Sequence, residues 1–155
     1  MNKTNVIRII ESNGIPHDIK TYEVDETDLS GTTVANKIGV NEEIVFKTLV
    51  AEGDKSGFLV FCVPVNSEIN LKKAASVSGN KKVELIPTKN LLAVTGYVRG
   101  GCSPIGMKKK YPTYIDETAQ LFDKIYFSAG VRGTQVGTIS EALQKLTDSV
   151  FADLT

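Results

Sequence analysis

Histidine and cysteine are nearly missing from this chain, one and two residues in 155. With them go most of the usual routes to catalysis. His17, Cys62 and Cys102 are too few to build a tetrahedral zinc site. Two cysteines make no disulfide framework, which points to a reducing, cytoplasmic setting. Neither a serine–histidine–acid order, a phosphate-binding P-loop nor a dinucleotide fingerprint is present, and no metal or cofactor is expected. An excess of one charge is also lacking: 18 basic residues face 18 acidic ones. That balance argues against a protein that grips long nucleic acid by charge alone, while leaving room for one or two phosphates. Long apolar runs are absent too. The longest, Phe58 to Val65, is far too short to cross a bilayer, so no membrane partner is expected. The first ten residues carry no uninterrupted apolar core and no cleavage pattern, which predicts no signal peptide.

What is there is an apolar share of 41%, enough for one ordinary core, and residues 1–155 read as a single domain. Residues 3–13 predict an amphipathic helix stopped by Gly14. A strand is expected over His17–Val24, then a short helix capped by Thr32 or Thr33 and closed by Gly39. Ile44–Ala51 and Phe58–Val65 flank Glu-Gly-Asp-Lys-Ser-Gly and predict a hairpin. Asn70 caps a helix through Ser78, Val83–Ile86 forms a short strand, and Thr88 caps a helix to about Val94. Strands follow near Thr113–Asp116, Lys124–Ser128 and Gln135–Ile139. Ser140 caps a last helix, and Phe151 packs back on the core. Interleaved helices and strands with hairpin pairs predict an α/β (α+β) single domain with a mixed sheet and flanking helices.

Two places carry candidate chemistry. Gly96-Tyr-Val-Arg-Gly-Gly-Cys-Ser-Pro-Ile-Gly106 holds four glycines, Ser103 and Pro104, and forms neither regular helix nor central strand. Gly100 and Gly101 remove two β-carbons in succession, so adjacent N–H groups can converge on a carboxylate, phosphate or oxyanion; a plain joining turn is the alternative. Lys47, in Val-Phe-Lys-Thr-Leu-Val, sits among apolar neighbours and is either an edge-guarding residue or a placed cation. Ser128-Ala-Gly130-Val-Arg132-Gly is a second small-residue turn at a strand end, and Tyr22 offers a phenol at another. Cys102 lies in the glycine loop, but no base lies near it in sequence to activate a thiol. The lysine groups 72–73, 81–82 and 108–110 are either RNA-steering or solvated faces. An enzyme built from these residues works with backbone donors and a lysine, and leaves the nucleophile to its substrate.

Taken together, the motifs resemble one family in order and spacing. They are Thr-Tyr-Glu at 21–23, Val-Phe-Lys-Thr-Leu at 45–49, Leu-Lys-Lys-Ala at 71–74, the glycine loop at 96–106, Tyr-Ile-Asp-Glu-Thr at 114–118 and Ile-Tyr-Phe-Ser-Ala-Gly-Val-Arg-Gly at 125–133. The resemblance, nearly end to end, is to the YbaK/EbsC family of Cys-tRNA(Pro) deacylases, free-standing relatives of the prolyl-tRNA synthetase editing domain. It implies a partly barrel-like sheet and release of a wrongly attached amino acid from the 3′-terminal aminoacyl-adenosine of tRNA. In the cysteine-specific branch the substrate's own thiol attacks the ester carbonyl. The resemblance implies Lys47 as the essential cation, Gly100 and Gly101 as carbonyl-facing donors, and Pro104 with Ser103 as shapers of the loop. It further implies Thr48, Tyr22, Ser30, Ser128, Gly130 and Arg132 around the aminoacyl group, and a synthetase, prolyl-tRNA synthetase, as a partner that delivers the tRNA. Two departures bear on selectivity: Leu29-Ser30 stands where relatives place a phenylalanine, and Gln135 where they usually carry an acid. A deacylase for another amino acid such as alanine, and a non-catalytic module binding the acceptor end or a synthetase, are the alternatives.

Overall fold

The computed structural model describes residues 3–155, and the expected hairpin is its spine. Strands β2 (Phe46–Gly53) and β3 (Gly57–Pro64) pair antiparallel over their full length, from Phe46↔Pro64 to Gly53↔Gly57. Branched and aromatic residues dominate both, which suits a pleated, buried surface. The turn between them is pinned from outside: the Asn80 amide oxygen accepts the N–H groups of Lys55 and Ser56 at 2.8 and 3.0 Å.

Other strands add to this hairpin. β4 (Val83–Leu85) lies antiparallel on the outer edge of β2, while β5 (Thr113–Asp116) and β8 (Val150–Ala152) extend the β3 side in parallel. The five-stranded order is therefore β4-β2-β3-β5-β8. A second sheet, β1-β7-β6, is wholly antiparallel and is built from β1 (Asp18–Thr21), β6 (Ile125–Ser128) and β7 (Thr134–Thr138). The two sheets meet at one parallel bridge, Val45↔Tyr126. A mixed, partly barrel-like arrangement was expected, and the structure resolves it into two sheets joined at this seam.

Helix α1 (Asn5–Ser12) is capped by the Thr4 hydroxyl and drives Val6, Ile7 and Ile10 into a core with Phe46, Ile115, Ile125 and Phe127. Leu143 of α5 (Ser140–Thr147) closes that core. On the other side, Ala74 and Ala75 of α3 (Leu71–Val77) pack against Leu59, Phe61 and Val63. Each large side chain fully buried in this way contributes about 1.5–3 kcal/mol.

Several boundaries differ from the sequence reading. Ser30, not Thr32 or Thr33, caps α2 (Gly31–Ile38), because its hydroxyl accepts the Thr33 N–H. Ser140 is the first residue of α5 rather than its cap, and Thr88 opens a 3-10 turn before α4 (Leu91–Thr95). β1 covers only half of the expected strand, since pairing with β7 runs only from Asp18↔Gly137 to Thr21↔Thr134. Phe151 does pack on the core, but as part of β8, whose three residues are too short for periodicity to reveal.

Candidate functional site

β2 changes partners along its outer edge. β6 touches the chain at Val45, and β4 is in register only from Ala51 to Gly53, with Ile86 N–H donating to Val50 O at 3.0 Å. Since the Val50 carbonyl faces outward, strand alternation turns the N–H and C=O of Thr48 outward as well. The Val60 N–H agrees, donating away from β2 to Pro112 O at 2.9 Å. Between β6 and β4 the edge at Lys47–Leu49 is claimed by neither strand. An unpaired edge is costly unless something covers it.

What lies over this gap is a cavity of about 420 Å³. β2 contributes Lys47 and Thr48 to its lining, the glycine loop contributes Arg99, Gly100 and Cys102, and the second sheet contributes Ser128 and Gln135. Leu29 and Ser30 at the start of α2 form a further wall. Lys47 and Thr48 point to opposite faces of the strand, and the open edge is what lets both border one space. The Lys47 ammonium lies 4.0 Å from Glu68 Oε1; its side chain is 29% exposed, while that of Glu68 is 97% exposed. This long rim contact leaves the lysine charge weakly engaged.

Ser128 and Gln135 are direct cross-strand partners and so share a face. Ser128 Oγ accepts the Gly130 N–H at 3.1 Å, and its hydroxyl hydrogen is still available to donate. Gln135 is only 6% exposed, and its amide oxygen meets no donor among the described residues. Burial pushes the Cys102 thiol up to about 12 despite the nearby Thr95 hydroxyl, and pushes Cys62, beside Thr48, to about 12 as well. Neither sulfur is a thiolate near neutral pH, so neither is an activated nucleophile.

The remaining expected site residues sit elsewhere. The Gly101 N–H is already spent on Val98 O at 3.0 Å, so two adjacent free donors are not present. A β-carbon on Gly101 would stand 3.1–3.2 Å from the Arg132 and Val131 backbone, and this close approach is the residue's structural use. Arg132 ties the two loops together, its Nε donating to Arg99 O at 2.8 Å, and it does not line the cavity. Gly130 packs against Val6 and Tyr97 with φ +94°. Ser103 is fully buried and its hydroxyl accepts the Ile105 N–H. Pro104 borders a separate crevice beside Lys109 and Lys110. Tyr22 packs with Ala35, Ile38 and Tyr126 and opens into a small neighbouring crevice that shares Leu29 and Gly100 with the cavity.

Ser30 does border the cavity, but its hydroxyl serves the helix start, contacting Thr33 Oγ1 at 3.1 Å. Thr33 in turn donates to Asp28 Oδ2 at 2.6 Å, and with Ser30 it lowers the Asp28 carboxyl to about 2. A depressed carboxylate stabilises the fold above its ordinary value of 3.8 and loses that contribution as pH falls through about 2, so this wall keeps its shape at neutral pH. Sequence reasoning singled out neither Glu68 nor Arg99. Glu68 follows no motif, and Arg99 is one more basic residue until the fold turns its loop toward β2. Among the described residues no helix is long and apolar enough to cross a membrane, and no cluster of metal-ligating side chains occurs.

Residues 29–146 match the family model for the aminoacyl-tRNA editing domain. A curated relative from Enterococcus faecalis, named "Putative Cys-tRNA(Pro)/Cys-tRNA(Cys) deacylase EbsC", is 47% identical over 153 residues, covering 99% of this chain and 93% of its own. Among solved structures, "a putative trans-editing enzyme for prolyl tRNA synthetase" superposes with a TM-score of 0.82 at 22% identity over 99% of both chains. The "hypothetical protein APE2540" reaches a TM-score of 0.87 at 20% identity, over 97% of this chain and 99% of its own. At such identities the two structures establish the fold alone.

Proposed function

The chain belongs to the aminoacyl-tRNA editing domain family, and from that premise we propose that it removes cysteine from mischarged tRNA(Pro) in the cytoplasm, as a single catalytic domain. The observation that supports this reading is the cavity over the unpaired β2 edge, which gathers Lys47, the glycine loop and Ser128, while burial pushes up the one lining thiol, Cys102. A substrate that brings its own thiol suits such a site.

In the reaction the cysteinyl sulfur attacks the ester carbonyl carbon. The C–S bond forms as the bond to the ribose oxygen breaks, and the thiol proton is delivered to that oxygen. The products are a strained thiolactone, which water opens to cysteine, and tRNA with a free terminal ribose. Lys47 supplies positive charge to the aminoacyl-adenosine end, where a fixed cation in a partly dry site acts more strongly than in water. Gly100 and Cys102 take the place expected of Gly100 and Gly101 as backbone donors to the carbonyl oxygen, because they line the cavity. The Ser128 hydroxyl donates beside them. Gly101, Ser103, Pro104, Gly130 and Arg132 hold the loops in place from behind, and Tyr22 backs the neighbouring wall. The balanced net charge supports delivery of the tRNA by a synthetase partner rather than capture by this domain alone.

The test is release of label from Cys-tRNA(Pro), Ala-tRNA(Pro) and Ser-tRNA, with Lys47→Ala alongside. Rapid loss from Cys-tRNA(Pro) alone, absent in the variant, is the expected result. Turnover of Ala-tRNA(Pro) alone moves the specificity to alanine, and no turnover on any substrate removes the enzymatic reading.

A further inference from the structure

Charge balances over the whole chain but not along it. Residues 85–115 carry five basic side chains, Lys89, Arg99, Lys108, Lys109 and Lys110, and no acidic one, so the excess of acid lies elsewhere. This segment runs from the end of β4 through α4 and the glycine loop into β5, and all five cations are exposed. Lys110 pairs with Asp148 at 2.8 Å, and the other four make no ion pair among the described residues. By contrast, Lys82 shares its groove with Glu52, Asp54 and Glu84. Arg99 stands where the segment meets the cavity. The Gly101 N–H donates to Val98 O at 3.0 Å and Gly100 has φ +85°, which puts Arg99 at the tip of a type II turn. Arg132 holds the Arg99 carbonyl at 2.8 Å, so the backbone is fixed while the guanidinium makes no ion pair. Lys108 is its neighbour in space rather than in sequence. The Lys108 N–H donates to Thr95 O at 3.1 Å, and its stem lies over Gly96, where a β-carbon would meet Lys108 Cγ at 3.3 Å.

We propose that this basic segment is the binding surface for the tRNA acceptor strand, with Arg99 taking the phosphate that joins the terminal adenosine to the rest of the strand; the proposal rests on the deacylase reading above. Lys47 and Arg99 are the two cations that line the cavity. Lys47 serves the ester end of the aminoacyl-adenosine, which leaves Arg99 for the other end. That end carries a phosphodiester, and the strand continues from it out of the cavity. A planar guanidinium on a fixed turn suits one phosphate at a set place, since its forked donors grip two oxygens at once. Lys108 and Lys109, further along the segment, are flexible point charges that follow phosphates of less fixed position. An RNA strand fits this surface better than an acidic protein face does, because it is covalently joined to the molecule in the cavity. So few cations neutralise only a few phosphates. The surface therefore sets the course of the strand and leaves capture of the whole tRNA to a delivering partner.

The experiment compares two non-reactive probes across a range of salt concentrations. One is the adenosine 3′-amide of cysteine, which has no phosphate; the other is an acceptor-stem minihelix ending in the same amide. Affinity and melting temperature are measured for the full chain, Arg99→Gln, Arg99→Lys and the pair Lys108→Gln with Lys109→Gln. The control outside the segment is Lys81→Gln with Lys82→Gln. Arg99→Gln is expected to bind the minihelix about tenfold more weakly, the range of a hydrogen bond to a charged group, and to bind the adenosine probe as wild type does. Each lost cation lowers the slope of log affinity against log salt by about 0.7–0.9, while Arg99→Lys keeps the wild-type slope. The lysine pair weakens binding of the minihelix alone, by a smaller factor, and the control and all melting temperatures stay unchanged. A wild-type slope in both Arg99→Gln and the lysine pair overturns the proposal, as does an equal loss on both probes. So does a control that loses as much as the lysine pair. A loss that appears only with prolyl-tRNA synthetase present assigns the surface to that protein and overturns the RNA proposal. Wild-type protein that binds neither probe and releases no cysteine from Cys-tRNA(Pro) overturns the deacylase reading itself, and this proposal with it.

Discussion

Two cavities of this protein invite comparison, and the larger is the less informative. A groove of about 630 Å³ runs along β4 and α4, against about 420 Å³ over the β2 edge. In the groove the charges of Lys82, Glu84 and Asp54 are answered. Lys82 pairs with Glu84 at 2.8 Å, and Asp54 accepts the backbone N–H groups of Lys81 and Lys82 at 2.9 and 3.0 Å. In the smaller cavity polar groups are left open: Lys47 reaches a carboxylate only at 4.0 Å, the Thr48 backbone faces a gap, and the Gln135 oxygen meets no donor among the described residues. Volume measures how much space the packing left. Unmet hydrogen-bonding capacity indicates which space a ligand completes.

The sharpest way to break this contrast is Lys47→Ala. It should lower kcat/KM for Cys-tRNA(Pro) by about a hundredfold or more, the usual cost of losing a charge-stabilising group, with an unchanged circular dichroism spectrum. Full activity in that variant would remove the central role of the cavity. Next comes Gly101→Ala, whose new β-carbon meets backbone rather than movable side chains. It should cost about 1–3 kcal/mol in denaturant unfolding and reduce turnover by separating the two loops. An unperturbed variant would show that their close approach is dispensable.

Cys102→Ser should leave kcat/KM nearly unchanged, because a thiol pushed to about 12 by burial is no nucleophile at neutral pH. In the native wild-type protein, iodoacetamide should label Cys102 slowly until denaturant opens the fold. Loss of turnover in Cys102→Ser would reinstate a protein nucleophile. The smallest effect is expected from Lys82→Ala in the larger groove, an exposed pair whose loss should alter neither turnover nor melting temperature. A strong loss of activity there would reverse the comparison.

How much of this was legible in the chain depends on whether the signal is local. The β2–β3 hairpin, α1 and the Asn70 cap follow from periodicity and turn chemistry within a dozen residues, and they stand where expected. The match at β5 is to the residue. β8 and the seam between the sheets were not legible, because both arise from pairings far apart in sequence, such as Val45 with Tyr126. The site divides in the same way. Lys47, Thr48, Gly100, Ser30 and Ser128 were chosen from the sequence and do border one cavity. The resemblance implies Gly101, Ser103, Pro104, Gly130, Arg132 and Tyr22 as well, and outside this cavity the fold uses them as packing, ties and turns. Sequence shows that a glycine loop approaches something closely; it does not show whether that something is a ligand or another loop.

The seam has a mechanical consequence. The halves of the cavity belong to different sheets, joined along β2 by one backbone bridge and otherwise through the side chains of a shared core, so their spacing rests on packing rather than on a ladder of backbone hydrogen bonds. A molecule seated there touches both and acts as a removable stitch between them. Occupancy therefore tightens the same joint that shapes the site, and a bound ligand is expected to slow hydrogen exchange along that line.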